Sequence, residues 1–143
     1  MSVGYVPGGY DLFHIGHLNI LKTARGHCKY LIAGVATDAS LITMKGRAPV
    51  VPFEERFQIV AGIRDVDRAV PDFSQDKRVA WRNTHFDILF KGTDWQGTER
   101  GDRLEEQMSE LGVTVVYLPY TDTTSSTKLR SFLDLQLTVQ AVT

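Results

Sequence analysis

Two histidines three residues apart stand at the end of the segment Gly8-Gly9-Tyr10-Asp11-Leu12-Phe13-His14-Ile15-Gly16-His17. If a helix begins there, this spacing sets both imidazoles on its first turn, and Gly16 removes a side chain between them. Free amides and the positive dipole end of a helix attract anions. Imidazole N–H groups add hydrogen bonds to phosphoryl oxygens as charge builds during transfer at phosphorus, with no covalent intermediate. A packed or surface pair of histidines gives the same short pattern. Zinc is a third reading, but helical zinc pairs usually stand four apart with a further ligand, and no glutamate occupies the appropriate place.

The elements around the motif decide which chemistry it can do. Val3 to Val6 reads as a strand, broken by Pro7-Gly8-Gly9, and Ile15, Leu18, Leu21 and Ala24 form the apolar stripe of a helix over 15–24. Lys29 to Ala36 is a continuous apolar run, as in a strand buried on both faces of a parallel sheet. Pro52, Glu54 and Glu55 open a helix over 53–63. The alternation continues with a strand over 68–70, a helix over 77–83, a strand over 87–90, a helix over 103–111 ended by Gly112, a strand over 113–118 and a helix over 125–135. These elements predict an α/β parallel sheet in one domain, with ligands collected at the carboxyl ends of the strands.

Composition narrows the function. Sixteen Lys plus Arg against seventeen Asp plus Glu give a net charge of −1 over 143 residues, no field for holding nucleic acid or an anionic membrane. The longest apolar stretch, Tyr30 to Ala36, is far short of the roughly 20 residues of a membrane span. Cys28 is alone, so intrachain disulfide chemistry is excluded. The start Met1-Ser2-Val3-Gly4 lacks an export leader, and the cytoplasm is the expected location.

Gly8 to His17 resembles the opening Gly-Thr-Phe-Asp-Leu-Leu-His-x-Gly-His of the His-x-Gly-His nucleotidyltransferases, specifically the branch similar to glycerol-3-phosphate cytidylyltransferase. Arg64-Asp65-Val66-Asp67, Gly92-Thr93-Asp94-Trp95-Gln96-Gly97 and Ser125-Ser126-Thr127-Lys128-Leu129-Arg130 resemble three later family segments. The resemblance implies a Rossmann-like parallel sheet with helices on both faces in a single domain, residues 1–143, either complete or cut from a longer protein. It implies CMP transfer from CTP, accompanied by Mg²⁺, to a small phosphorylated or phosphonylated alcohol, with no metal held by the protein's own residues. His14 and His17 inherit the catalytic role, with Lys45 reaching the phosphates from a mobile loop. Gly8, Gly9, Tyr10, Asp11, Gly16, Asp94, Trp95, Ser125, Ser126 and Thr127 are implied to surround the nucleotide, and Arg64, Asp38 and Tyr120 the acceptor. Asp11, Asp38 and Arg56 are read as supports of the site, and the protein as a homodimer.

Two departures bear on substrate. Gly9 stands where the family has Thr or Ser, and Tyr120 where cytidylyltransferases have a phosphate-binding Arg, so Lys128 or Arg130 is the expected replacement cation. Heptose-phosphate adenylyltransferases carry an aromatic residue at that place and a loop resembling Lys45 to Pro52, so ATP is the alternative nucleotide. Related phosphonate-pathway domains use 2-hydroxyethylphosphonate. A non-catalytic nucleotide-binding domain is the remaining alternative.

Overall fold

The computed structural model describes residues 2–121 and 124–142, so Asp122 and Thr123 of the segment before the last helix lie outside the described residues. In chain order the elements are β1 (Val3–Gly8), α1 (Ile15–Arg25), β2 (Tyr30–Ala36), α2 (Asp38–Lys45), α3 (Phe53–Ala61), β3 (Arg68–Asp72), α4 (Lys77–Thr84), β4 (Ile88–Gly92), a 3-10 turn (Thr93–Trp95), α5 (Glu99–Glu110), β5 (Thr114–Leu118) and α6 (Ser126–Val142). The five strands form one parallel sheet in the order β3-β2-β1-β4-β5. The chain winds outward from β1 to β3, then crosses back to β4, so the order reverses between β1 and β4. That is where an open α/β sheet leaves a crevice.

The apolar runs fill both faces, as their lack of alternation predicts. On one side Leu21 and Ala24 of α1 and Val60 of α3 pack on Val6, Leu31 and Val35. On the other, Leu104 and Met108 of α5 and Trp81 of α4 pack on Tyr5, Ile32 and Leu89. The result is the expected Rossmann-like arrangement. Among the described residues, no helix is long and apolar enough to cross a membrane.

β1 runs two residues past its expected end, through Pro7 and Gly8. Its pairing with β2 continues to Gly8, whereas its pairing with β4 stops at Tyr5. Proline has no N–H to offer a second neighbour, and the sheet splits open at this point. β4 likewise extends to Gly92, which carries Lys91 into the strand.

Helix α2 was not expected. Leu41 is its sole buried residue, so the sequence shows no apolar period there. Thr37 caps it by accepting from the Ser40 amide at 3.1 Å, and Gly46, at φ 77°, ends it in the left-handed region. Lys45 is therefore the last residue of a helix rather than part of a free loop. Helix α5 starts at Glu99, ahead of the expected Arg103, because Thr98 accepts from the Gly101 amide.

Candidate active site

The turn between β1 and α1 is built from strained backbone held by buried groups. Tyr10 and Leu12 both have positive φ, 54° and 51°, a conformation that costs a non-glycine residue about 1–2 kcal/mol. The Tyr10 hydroxyl donates to the Val6 carbonyl at 2.8 Å, and burial raises its pKa, so the phenol stays protonated. The Asp11 carboxylate accepts from the amides of Val50 and Val51 at 2.8 and 2.9 Å and lies 3.6 Å from Arg130 of α6. Arg56, 1% exposed, donates to the carbonyls of Gly9, Ala36 and Val51 and to the Asp38 carboxylate. One guanidinium thus ties together the ends of β1 and β2 and the segment before α3.

The two histidines cap α1 reciprocally. Nδ1 of His14 accepts from the Gly16 amide at 3.0 Å, and Nδ1 of His17 accepts from the His14 amide at 3.1 Å. Each Nδ1 faces a backbone N–H, so each neutral ring carries its proton on Nε2. Burial, reinforced by the neighbouring His14, pushes His17 down to about 4, and burial also lowers His14. At neutral pH both rings are therefore uncharged Nε2–H donors, 4.1 Å apart between centroids. His14 Nε2 lies 3.4 Å from Ser126 Oγ, whose own proton goes to the Asp11 carbonyl at 2.6 Å. The hydroxyl thus accepts from the imidazole. Gly16 is required here: a Cβ on it would stand 2.7 Å from the His14 ring.

Where β1 and β4 part, a cavity of 330 Å³ opens, lined among others by Gly8, Gly9, Tyr10, His17, Lys45 and Thr127. Burial and the charge of Arg130 lower the Lys45 pKa. Tyr120 closes one side. Its ring rests on Gly92, where a Cβ would fall 2.3 Å from ring atoms, and its hydroxyl lies near Asp94. Burial, with Asp94 beside it, raises the phenol to about 12.

A second cavity, 90 Å³, adjoins the first across Pro7, Gly8 and Gly9. Lys77, Lys91, Arg100, Asp72 and Trp95 line it. Asp72 is buried and already committed, accepting from the Tyr5 hydroxyl at 2.7 Å and from Lys77 Nζ at 2.9 Å. The Trp95 ring is flanked by Lys91 Nζ at 3.9 Å and the Arg100 guanidinium at 4.2 Å. Three cations against one paired carboxylate make this cavity a site for an anion.

A family model described as cytidylyltransferase-like matches residues 5–132, a span that includes every residue lining the two cavities. The chain belongs to the cytidylyltransferase-like family. Glycerol-3-phosphate cytidylyltransferase of Bacillus subtilis is 32% identical over 124 residues, 86% of this chain and 90% of that protein. The bifunctional protein HldE of Granulibacter bethesdensis is 39% identical over 98 residues, which are 67% of this chain and 20% of that protein. This cytidylyltransferase-like chain therefore spans about a fifth of the HldE relatives it matches. A lipopolysaccharide core biosynthesis protein from Thermoplasma volcanium has the same fold, with a TM-score of 0.71 at 24% identity over 87% of this chain and 99% of that one.

Within this family frame the expected site residues separate. Gly8, Gly9, Tyr10, His17, Lys45, Tyr120 and Thr127 line the larger cavity and Trp95 the smaller. His14, Gly16 and Ser126 form the cap behind His17. Ser125 Oγ accepts from the Lys128 amide and caps α6, and Asp94 lies near the Tyr120 hydroxyl. Three expectations change. Arg64 is exposed just before β3, at the amino edge of the sheet, and lines neither cavity. The Asp38 carboxylate is taken by Arg56 at 2.7 Å rather than by an acceptor. The Asp11 carboxylate is spent on two amides rather than turned to the nucleotide cavity. The cations that do gather, Lys77, Lys91 and Arg100, escaped notice because they come from separate segments. A lysine within the otherwise apolar strand at 88–92 was the one available signal.

Proposed function

We propose that this protein is a nucleotidyltransferase that moves CMP from CTP to the phosphate or phosphonate of a small alcohol, such as glycerol 3-phosphate or 2-hydroxyethylphosphonate, with release of pyrophosphate. The observation that carries this reading is the reciprocal cap of His14 and His17. Two neutral rings, each with Nδ1 fixed by a backbone amide, offer Nε2–H donors to the charge developing on the α-phosphoryl oxygens, His14 giving up its 3.4 Å contact with Ser126. The acceptor oxygen attacks the α-phosphorus in line, and the bond to the bridging oxygen of the departing pyrophosphate breaks. The acceptor is already an anion, so positioning and electrostatics suffice without a general base.

In this reading Lys45 and Thr127 hold the triphosphate, and Arg130 beside Lys45 supplies the positive charge that Tyr120 lacks. Lys77 and Arg100 hold the acceptor anion. Mg²⁺ enters as part of the nucleotide substrate. Mg²⁺ commonly rides on substrate phosphates. A homodimer is part of the proposal, and sedimentation as a monomer alone would refute that part.

The test incubates the protein and Mg²⁺ with CTP, ATP, UTP or GTP against glycerol 3-phosphate, 2-hydroxyethylphosphonate, phosphoethanolamine, phosphocholine and heptose 1-phosphate. Pyrophosphate is expected with CTP and one acceptor. Tyr120 and the HldE match favour ATP as the second reading, and ATP-selective release would establish it. Silence with every pair despite CTP binding would leave a nucleotide-binding domain.

A further inference from the structure

Lys91 occupies a position that neither the histidine cap nor the acceptor cations explain. It is the next-to-last residue of β4, at the point where the sheet splits. Four residues line both cavities: Pro7, Gly8, Gly9 and Lys91. Three of them offer only backbone and a proline ring, so Lys91 is the single ionisable side chain on the shared wall. Its ammonium lies 3.9 Å from the Trp95 ring centroid, and among the described residues it forms no ion pair with a carboxylate. Of the nearby carboxylates, Asp72 is occupied by Tyr5 and Lys77, and Asp94 makes no ion pair with Lys91. A half-buried ammonium without a counter-ion costs stability, and an arriving anion removes that cost.

We propose that Lys91 is a catalytic residue: its ammonium touches the α-phosphoryl group from one cavity and the incoming acceptor oxygen from the other, and neutralises the charge the two anions share. This rests on the nucleotidyl-transfer reading. In the step the acceptor oxygen bonds to the α-phosphorus, and the electron pair of the broken bond leaves with pyrophosphate. Lys91 passes no proton and remains an ammonium throughout. Two anions repel as they approach, and a cation at their junction lowers that repulsion most in the transition state, where they are closest.

The groups facing Lys91 are Asp72 of β3, Lys77 of α4, Asp94 and Arg100 of the segment around Trp95, and Tyr120 after β5. Burial, together with the charge of Lys77, brings its pKa down to about 8. The free site thus begins to lose this charge just above neutral pH, and bound phosphates restore it.

The test compares Lys91→Gln and Lys91→Arg with wild type. Lys91→Gln is expected to lower kcat about 100-fold with little change in the KM for CTP. Its melting temperature should match or exceed that of wild type, because a desolvated charge is removed. Lys91→Arg keeps the charge at all relevant pH and should lose the fall in kcat/KM that wild type shows above about pH 8. Lysine ε-carbon NMR, with the Lys91 signal identified by its loss in Lys91→Gln, should show the titration midpoint rise on adding CMP or inorganic phosphate. If wild type transfers nothing to any acceptor, the transferase reading falls and the catalytic role falls with it. If wild type is active while Lys91→Gln stays within threefold of it, or the midpoint ignores both anions, the Lys91 assignment alone is overturned.

Discussion

The two cavities share a wall but handle charge differently. The larger one meets its ligand with His17, held neutral in the reciprocal cap with His14, with Lys45 of α2, and with Lys91 on the wall it shares with the smaller one. The smaller one gathers Lys77, Lys91 and Arg100 around a tryptophan, with one paired carboxylate. Neutral donors suit a phosphorus centre whose charge changes during the step, because they stabilise the new charge without gripping the starting triphosphate too tightly. Fixed cations suit a group that has only to be captured as an anion. The difference teaches that one sheet opening can divide catalysis from capture by the protonation state of its donors.

The sharpest way to break this division is His17→Ala. It should lower kcat about 10²- to 10³-fold while leaving the KM of the acceptor unchanged, as pyrophosphate-release kinetics would read. Unchanged turnover would remove the neutral-donor account. Arg56 underlies both cavities through the Gly9 carbonyl, so Arg56→Met should impair both. Unfolding in urea should show about 3 kcal/mol lost, since three carbonyls lose their donor.

Acid provides a cleaner separation. The folded pKa of His17, about 4, lies below the ordinary histidine value of 6.5. The unfolded chain therefore takes up a proton first, and His17's contribution to stability is complete above about pH 6.5 and is lost as pH falls toward 4. Melting temperatures measured across that window should decline, and in His17→Asn the decline should be shallower. Arg100→Met should act on the smaller cavity alone, raising the acceptor KM about tenfold through one lost charge-assisted contact with kcat and melting temperature unmoved. The smallest effect is expected of Tyr120→Phe. Loss of one half-exposed hydroxyl at the cavity edge should change the KM for CTP about two- to threefold.

Legibility followed the range of the interactions. The β1–turn–α1 unit was readable because its signals are contiguous: a strand, breakers, two histidines and a helical stripe within 24 residues. The buried strands announced themselves as apolar runs. Helix α2 did not, because it buries Leu41 alone and so lacks the period by which helices are recognised. Arg64 misled for a related reason. Its segment resembles a family motif, but the direction of β3 sets it at the amino edge, away from both cavities. The partners of Asp38 and Asp11, Arg56 and the amides of Val50 and Val51, came from 18 or more residues away.

What the amino-acid order alone determined is local: the parallel α/β alternation, the glycine turn and the spacing that sets His14 and His17 on one helical turn. Each follows from forces acting within a few residues, such as backbone sterics, helix capping and the burial of apolar runs. The tertiary structure decided the tautomers, the lowered pKa of His17, the split between β1 and β4, and the meeting of Lys77, Lys91 and Arg100. Those depend on desolvation and on charges brought close by the strand order, quantities that take a value only once the sheet is assembled.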